Sequence, residues 1–366
     1  MIFFKLNDVN DIWTWINKRF VPGLKLDTLY NGSPVDKNYN FLLSDYSSII
    51  LGYPVMRQMR VRKDSCNIVS SFYQKIDFCD SDYDFTVDDT SNYGFNWTSY
   101  DSSYLSSLST ANQYAYKNLH EAFQYSRTVA SSDTTKSSYG IYPYFGLYDQ
   151  YAGGGYVLKM RGRTNLLKSN LTLLQSTFKW IDRQTRAIFI EFSTYNPNVD
   201  LYAYNTILFE ILPTGNILKS YYFNAFSLYN VSTANSLKLA CNILYMIFII
   251  FLVIREAIDL YRNGWRKYFT SFWSYIDLTI IAFSFASFAM YLYRLYAANE
   301  VMNIFSTTSG NGYIRLQYLG YMNDALAFCL AFCSCLGTIK FLRLFRFNMR
   351  ISYLILTLKR SFIELF

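Results

Sequence analysis

The sequence predicts an α+β domain outside the membrane over residues 1–236, followed by an all-α membrane part. Of the 366 residues, 52% are hydrophobic and only 16% are charged, whereas soluble domains carry about 25% charged residues. The two properties are unevenly distributed. Residues 1–236 mix tyrosine, serine, asparagine and charges as a soluble domain does, and residues 237–366 contain long apolar runs separated by charges. We therefore place a domain boundary near Ser236.

Three apolar runs after this boundary have about the length of membrane spans. They are Leu239–Ile254, which has no charge, Ser271–Tyr293, whose only charge is Asp277, and Leu316–Ile339, whose only charge is Asp324. A bilayer requires about 20 apolar residues. The first run is shorter, and it can extend past Arg255, whose long side chain can reach the interface. Since three such runs in succession are rare in a soluble core, we predict three membrane-spanning helices.

The distribution of cations sets the orientation of these helices. The connection 261–267 carries three cations and no anion, and the part after the third run is also basic, whereas the connection from about 297 to 315 is poorer in cations. Cytoplasmic loops carry an excess of lysine and arginine. The first connection and the C-terminal part are therefore predicted to be cytoplasmic, which places residues 1–236 outside.

Sequons and cysteines agree with an outside location. Asn96, Asn170 and Asn230 each begin an Asn-X-Ser/Thr triplet, the acceptor pattern for N-glycosylation. Of the six cysteines, only Cys66 and Cys79 precede residue 237, and they can close a short loop in an oxidising compartment. The other four lie in the predicted spans as small buried hydrophobic residues.

Both ends of the chain suggest a longer protein. Residues 1–30 contain no signal peptide, so we expect an upstream transmembrane helix to translocate the outside domain. The sequence stops at Phe366 inside an amphipathic helical pattern without a stop signal. We therefore expect further segments downstream as well.

The outside domain is predicted to be α+β because its sequence contains both strand patterns and a helix pattern. Ala187–Asn196 alternates as a strand, and Leu201–Leu212 forms a second strand after an Asn-Pro-Asn turn, so the two are predicted to pair antiparallel. Leu167, Leu171, Leu174 and Phe178 recur at helical spacing and predict a helix before the first strand. Residues 99–140, rich in serine, tyrosine and threonine, are predicted to be a surface insertion.

The sequence lacks the residue patterns that are typical of several function classes. The net charge of +8 gathers beside apolar runs, as membrane topology requires, and no zinc spacing, phosphate loop or basic helix with stacking aromatics accompanies it. His120 is the only histidine, and we expect it at the surface. We therefore predict no enzyme, no nucleic-acid partner and no confident metal site.

Four segments resemble a known family in the same order. Leu51–Arg62, followed by Cys66 and Cys79, and Trp180–Asn196 closely resemble the polycystin domain of polycystin-2-type cation channels. Residues 271–277 resemble the beginning of that family's third helix, and residues 339–348 resemble the end of its fourth. The resemblance covers nearly the whole chain and implies a disulfide between Cys66 and Cys79.

The resemblance also implies a domain order and a function. Residues 1–236 would be the extracellular polycystin domain, 237–346 helices two to four of a voltage-sensor-like domain, and 347–366 a linker helix that leads to a pore outside this chain. The family forms tetrameric, nonselective, calcium-permeable cation channels of polycystin subunits, in ciliary or plasma membrane. The insertion 99–140 and the additional Arg346 depart from the family pattern.

The fourth-helix cations are candidate gating charges. Lys340, Arg343 and Arg346 are three residues apart and wind along one side of a helix. Charges within membrane are usually paired or functional, and Glu256 and Asp277 are the available countercharges. Alternatively, the cations only mark the cytoplasmic interface. Glu256 and Asp277 could also share a calcium site with a third carboxylate, that of Asp259.

A structural role is the alternative function. In that interpretation the protein is a membrane anchor whose outside domain binds an extracellular or ciliary-surface partner. In the channel interpretation, the aromatic surplus of the outside domain predicts that this domain makes the main contacts between subunits. The competing interpretation is that the aromatic residues fill the domain core.

Overall fold

The computed structural model describes residues 3–26, 28–35, 42–68, 75, 78–100, 116–117, 119–127, 143–228 and 234–344. The chain divides into two compact units. The sheet unit comprises residues 1–228 together with 300–320, and the helical unit comprises residues 229–299 and 321–366. Most of the predicted insertion 99–140 lies outside the described residues.

A six-stranded antiparallel sheet forms the sheet unit. Its strands lie in the order β2-β5-β1-β6-β7-β8. Their bounds are β1 Ile49–Arg60, β2 Tyr125–Ser126, β5 Gly155–Lys159, β6 Thr185–Asn196, β7 Leu201–Ile211 and β8 Ile217–Phe226. The predicted antiparallel pair is β6 and β7, joined in a register that places Asn196 opposite Leu201. A separate hairpin pairs β3 (Tyr144–Phe145) with β4 (Gln150–Tyr151).

Helices cover one face of the sheet. The predicted helix is α3 (Thr164–Ser176), with Leu167, Leu171 and Leu174 buried as one apolar stripe. Phe178, also predicted for this stripe, is buried but lies beyond the end of the helix. Two short N-terminal helices, α1 (Val9–Trp15) and α2 (Val21–Leu24), add buried residues to the same core. Burial of this apolar surface is the main stabilising contribution to the unit.

Aromatic residues fill both faces of the sheet. Trp180 and Phe209 are fully buried in the core under the helices, and Tyr151 and Phe189 are buried in a second cluster on the opposite face, beside the β3–β4 hairpin. Alternate side chains of β6 therefore lie in two different buried layers, instead of one face being buried and the other exposed to solvent. Much of the aromatic surplus belongs to the domain core.

The segment Glu300–Gly320, which includes the last residues of the helix Phe272–Thr307, belongs to the sheet unit. Tyr313 forms an antiparallel bridge to Gly52 of β1. Gly52 has a φ of +77°, and a Cβ there would lie 2.0 Å from the carbonyl oxygen of Gly312. Only glycine combines this backbone conformation with such a close approach.

The described part of the helical unit is built from three long helices and one short one. They are α4 Ala234–Asn263, α5 Trp265–Tyr268, α6 Phe272–Thr307 and α7 Gln317–Leu344. Within the described residues, Phe272–Thr307 and Gln317–Lys340 are long and apolar enough to cross a membrane, as predicted for the second and third runs. Helix α4, which contains the first run, has 30 residues, or about 45 Å at 1.5 Å per residue; its span remains a prediction.

Candidate functional site

A cluster of opposite charges joins three helices of the helical unit. Asp277 of α6 is buried, and its carboxylate accepts hydrogen bonds from Arg255 of α4, at 3.2 Å, and from Lys340 of α7. Charges at membrane depth are costly unless they are paired. Among the cations predicted to face Asp277, Lys340 is the one whose contact with it the structure describes; its role as a gating charge stays a prediction.

Glu256 meets different partners from those that we expected. Its buried carboxylate accepts from Arg255 Nη2 at 2.6 Å and from the Tyr268 hydroxyl at 3.0 Å. Among the described side chains, Glu256 is thus paired with a cation of its own helix rather than of α7. Arg255, which we expected to extend to the interface, instead bridges the carboxylates of Glu256 and Asp277.

The remaining predicted charges are not part of this described cluster. The side chain of Arg343 and all of Arg346 lie outside the described residues. Asp259 forms no ion pair with a described residue. Within the described part of the chain, no group of three histidine, cysteine, aspartate or glutamate residues could hold a metal ion, so this arrangement offers no support for the calcium alternative.

The cluster is electrically balanced, with two carboxylates and two cations. Three of its members are fixed on α4 and α6, and the fourth is on α7. An axial displacement of α7 would separate Lys340 from Asp277 and would leave Arg255 as the one cation of the cluster shared by Glu256 and Asp277. The cluster would then carry a net negative charge, so such a displacement has an electrostatic cost at membrane depth.

A second buried charge cluster holds the connection 300–320 on the sheet. Glu191 of β6 is fully buried and accepts from Arg57 Nη2 of β1 at 3.2 Å and from the Tyr313 hydroxyl at 3.4 Å. Nearby, Ser193 Oγ donates to the Ile314 carbonyl at 2.7 Å. Burial alone would raise the pKa of Glu191, but the guanidinium groups of Arg57 and Arg315 lower it below its usual value.

Arg57 also ties the sheet to the segment before β5. Its Nη1 donates to the carbonyl oxygens of Ala152 at 2.8 Å and Gly154 at 2.9 Å, and its guanidinium lies 4.0 Å from the centre of the Phe189 ring. Sequence reasoning missed this cluster. The available signal was two charged residues of opposite sign, Arg57 and Glu191, each flanked mainly by apolar residues in its strand.

The predicted modification sites occupy different environments. Cys66 and Cys79 form a disulfide with their Cα atoms 5.3 Å apart. Asn96 is exposed and Asn170 is half-buried on α3, whereas Asn230 lies outside the described residues.

The expectation that His120 is at the surface is wrong. Its side chain is buried, and its ring contacts Phe95 at 5.6 Å and Tyr100 at 5.7 Å between centroids. Burial lowers the pKa of His120 below its usual value, which favours the neutral ring. The single histidine is thus a packing residue beneath the aromatic core.

Comparison with known proteins identifies the family. Residues 3–229 match the model of the polycystin domain, and residues 229–366 match that of the polycystin cation channel. Over 98% of its length, the chain is 25% identical to polycystin-2 of Danio rerio and 26% identical to polycystin-2-like protein 1 of Homo sapiens. It spans 36% and 40% of those two proteins, respectively.

A nematode protein of a different name gives a similar match. Location of vulva defective 1 of Caenorhabditis elegans is 25% identical over 98% of this chain, which spans 11% of that protein. Both family models describe parts of channel proteins rather than of enzymes. Because these models together extend from residue 3 to residue 366, the chain belongs to the polycystin family of cation-channel proteins.

Proposed function

We propose that this chain is part of a subunit of a tetrameric, nonselective, calcium-permeable cation channel in ciliary or plasma membrane. The observation that carries the proposal is the buried charge cluster of the helical unit, in a segment that matches the polycystin cation channel model. The chain covers less than half of the relatives named above, and the ion-conducting part would lie outside it.

Within this proposal, residues 237–346 act as the second to fourth helices of a voltage-sensor-like domain. Lys340 is the gating charge whose partner is described, and Arg343 and Arg346 follow it along the helix. A charge that crosses the whole field couples about 2.3 kcal/mol per 100 mV. Because Lys340 starts beside Asp277 and would cross only part of the field, we expect modest voltage dependence.

The sheet unit would lie outside the membrane and form the main contacts between subunits. Support comes from an exposed aromatic strip: Phe4, Tyr221 and Phe223 are each more than half exposed, and the last two rings stack at 5.0 Å. Large exposed aromatic side chains favour protein contacts, because they bury much area at low entropic cost. N-linked glycans on the sequon asparagines and the Cys66–Cys79 disulfide would both be consistent with a domain that lies outside the membrane.

The same aromatic strip supports the second candidate function, a membrane anchor that binds an extracellular or ciliary-surface partner. The two functions differ in ion conduction. We would express the full-length protein in cells without endogenous polycystin current, verify its surface delivery, and record whole-cell currents while sodium, potassium and calcium are exchanged. Currents carried by all three ions would support the channel, whereas surface protein without any current would overturn it in favour of the anchor.

A further inference from the structure

An open pocket of about 410 Å³ lies beside the β3–β4 hairpin of the sheet unit. Its walls are mainly aromatic and acidic, formed by Tyr83, Phe85, Phe145, Tyr148, Asp84 and Asp149. Three of the four aromatic rings are at least half exposed, so they face solvent instead of filling the core. The volume falls within the range of about 300–1,000 Å³ that is typical of small-molecule sites.

Negative charge accumulates around this pocket. Asp84 and Asp149 line it, the charge of Asp82 acts on Tyr148, and Glu210 lies behind the hairpin. None of these four carboxylates forms an ion pair with a described residue. The pKa of Asp149 is raised, most strongly by burial and also by the charges of the other three carboxylates. Such a rise is expected where carboxylates crowd together.

The hairpin is held rigidly by the Glu210 carboxylate. This side chain is buried, and it accepts from the backbone N–H groups of Leu147 at 2.9 Å and Tyr148 at 3.1 Å, and from the Tyr151 hydroxyl at 3.1 Å. A Cβ on Gly146 would lie 2.2 Å from Glu210 Oε1, so any larger residue there would displace this carboxylate. The pocket wall is therefore formed before any ligand arrives, which lowers the entropic cost of binding.

We propose that this pocket binds an organic cation, a quaternary ammonium, alkylammonium or guanidinium group. Aromatic faces attract such cations through their quadrupole, and the carboxylates supply the opposite charge. A hard metal ion would instead require several converging oxygen ligands, and no group of three carboxylates, histidines or cysteines in the described part of the chain could provide them. The cation could be a free small molecule or a side chain of another protein.

The test uses the full-length protein in lipid nanodiscs and isothermal titration calorimetry. The probes are choline, its neutral isostere 3,3-dimethyl-1-butanol, and acetyl-arginine-amide, which represents a protein side chain. We expect at least one cation to bind at least tenfold more tightly than the neutral alcohol, with an affinity that falls as salt is added. Preference for choline would assign a small-molecule ligand, and preference for the arginine compound would assign a protein side chain.

Two variants probe the walls, and a third is the matched control. Asp149→Asn and Tyr148→Ala should each weaken cation binding about tenfold. Asp11→Asn is the matched control and should leave cation binding unchanged. Asp11, like Asp149, accepts one backbone N–H, and asparagine keeps that acceptor oxygen. Thermal unfolding verifies that each variant is folded. Equal binding of the neutral alcohol, no binding of either cation at tens of millimolar, or unchanged binding by a folded Asp149→Asn protein would overturn the proposal.

Discussion

Replacement of Arg57 by methionine should destabilise the sheet unit strongly. The change leaves Glu191, which is fully buried, without its ion-pair partner at 3.2 Å, so that Arg315 is the remaining nearby cation, and it removes the donor to the carbonyls of Ala152 and Gly154. Breaking a buried ion pair on one side costs about 3–5 kcal/mol. Each kcal/mol lowers the melting temperature of a domain of this size by about 2–4 °C, so we expect a decrease of roughly 6–20 °C in thermal unfolding of the purified protein.

The matched control is Arg183→Met. Arg183 pairs with Asp80, but its side chain is 49% exposed, and exposed pairs contribute about 0–1 kcal/mol. The double variant Arg57→Met/Glu191→Met removes both buried charges, and it should be less destabilised than the sum of the two single variants because the pair is coupled. An Arg57→Met effect no larger than the control, or strict additivity in the cycle, would refute the stabilising role of the buried pair.

Three further outcomes follow from the sheet unit. Non-reducing peptide mapping should recover Cys66 and Cys79 in one linked peptide, and free thiols at both would contradict the disulfide. Glycosidase treatment should lower the mass of the cell-derived protein, with Asn96, which is exposed, as an acceptor; an unchanged mass of the surface protein would count against the outside location. Burial raises the pKa of Asp88 to about 6, so the folded state holds a proton that the unfolded chain releases, and stability should rise as pH falls from about 6 to about 4. Asp88→Asn should remove this rise in denaturation curves, and an identical pH dependence of variant and native protein would contradict the assignment.

Local patterns were sufficient to predict the elements whose apolar residues follow one period. The pair β6–β7 lies within two residues of the predicted strands, and α3 buries three of the four residues that predicted it. Such segments are predictable because their hydrophobic period matches their geometry. The family resemblance added the pairing of Cys66 with Cys79, which spacing alone leaves open.

Contacts between distant residues could not be predicted. Ser193 and Ile314 are 121 positions apart, and nothing near either residue indicates that the connection 300–320 packs on the sheet. Burial of His120 was missed because the stretch of sequence around it is rich in tyrosine and serine, while its aromatic contacts include Phe95, from a separate segment. Likewise, Arg255 was interpreted as an interfacial cation because its partner on another helix, Asp277, is 22 positions away.

The central claim is that the buried charge cluster controls a cation current, and a double-mutant cycle tests it most directly. Full-length protein carrying Lys340→Gln, Asp277→Asn or both is compared with the native protein for the half-activation voltage of its current. Lys267→Gln, an exposed lysine outside the cluster, is the control. We expect each single variant to shift the voltage, the double variant to differ from the sum of the singles, and the control to remain unchanged. Exact additivity, or single variants indistinguishable from the control, would contradict the claim.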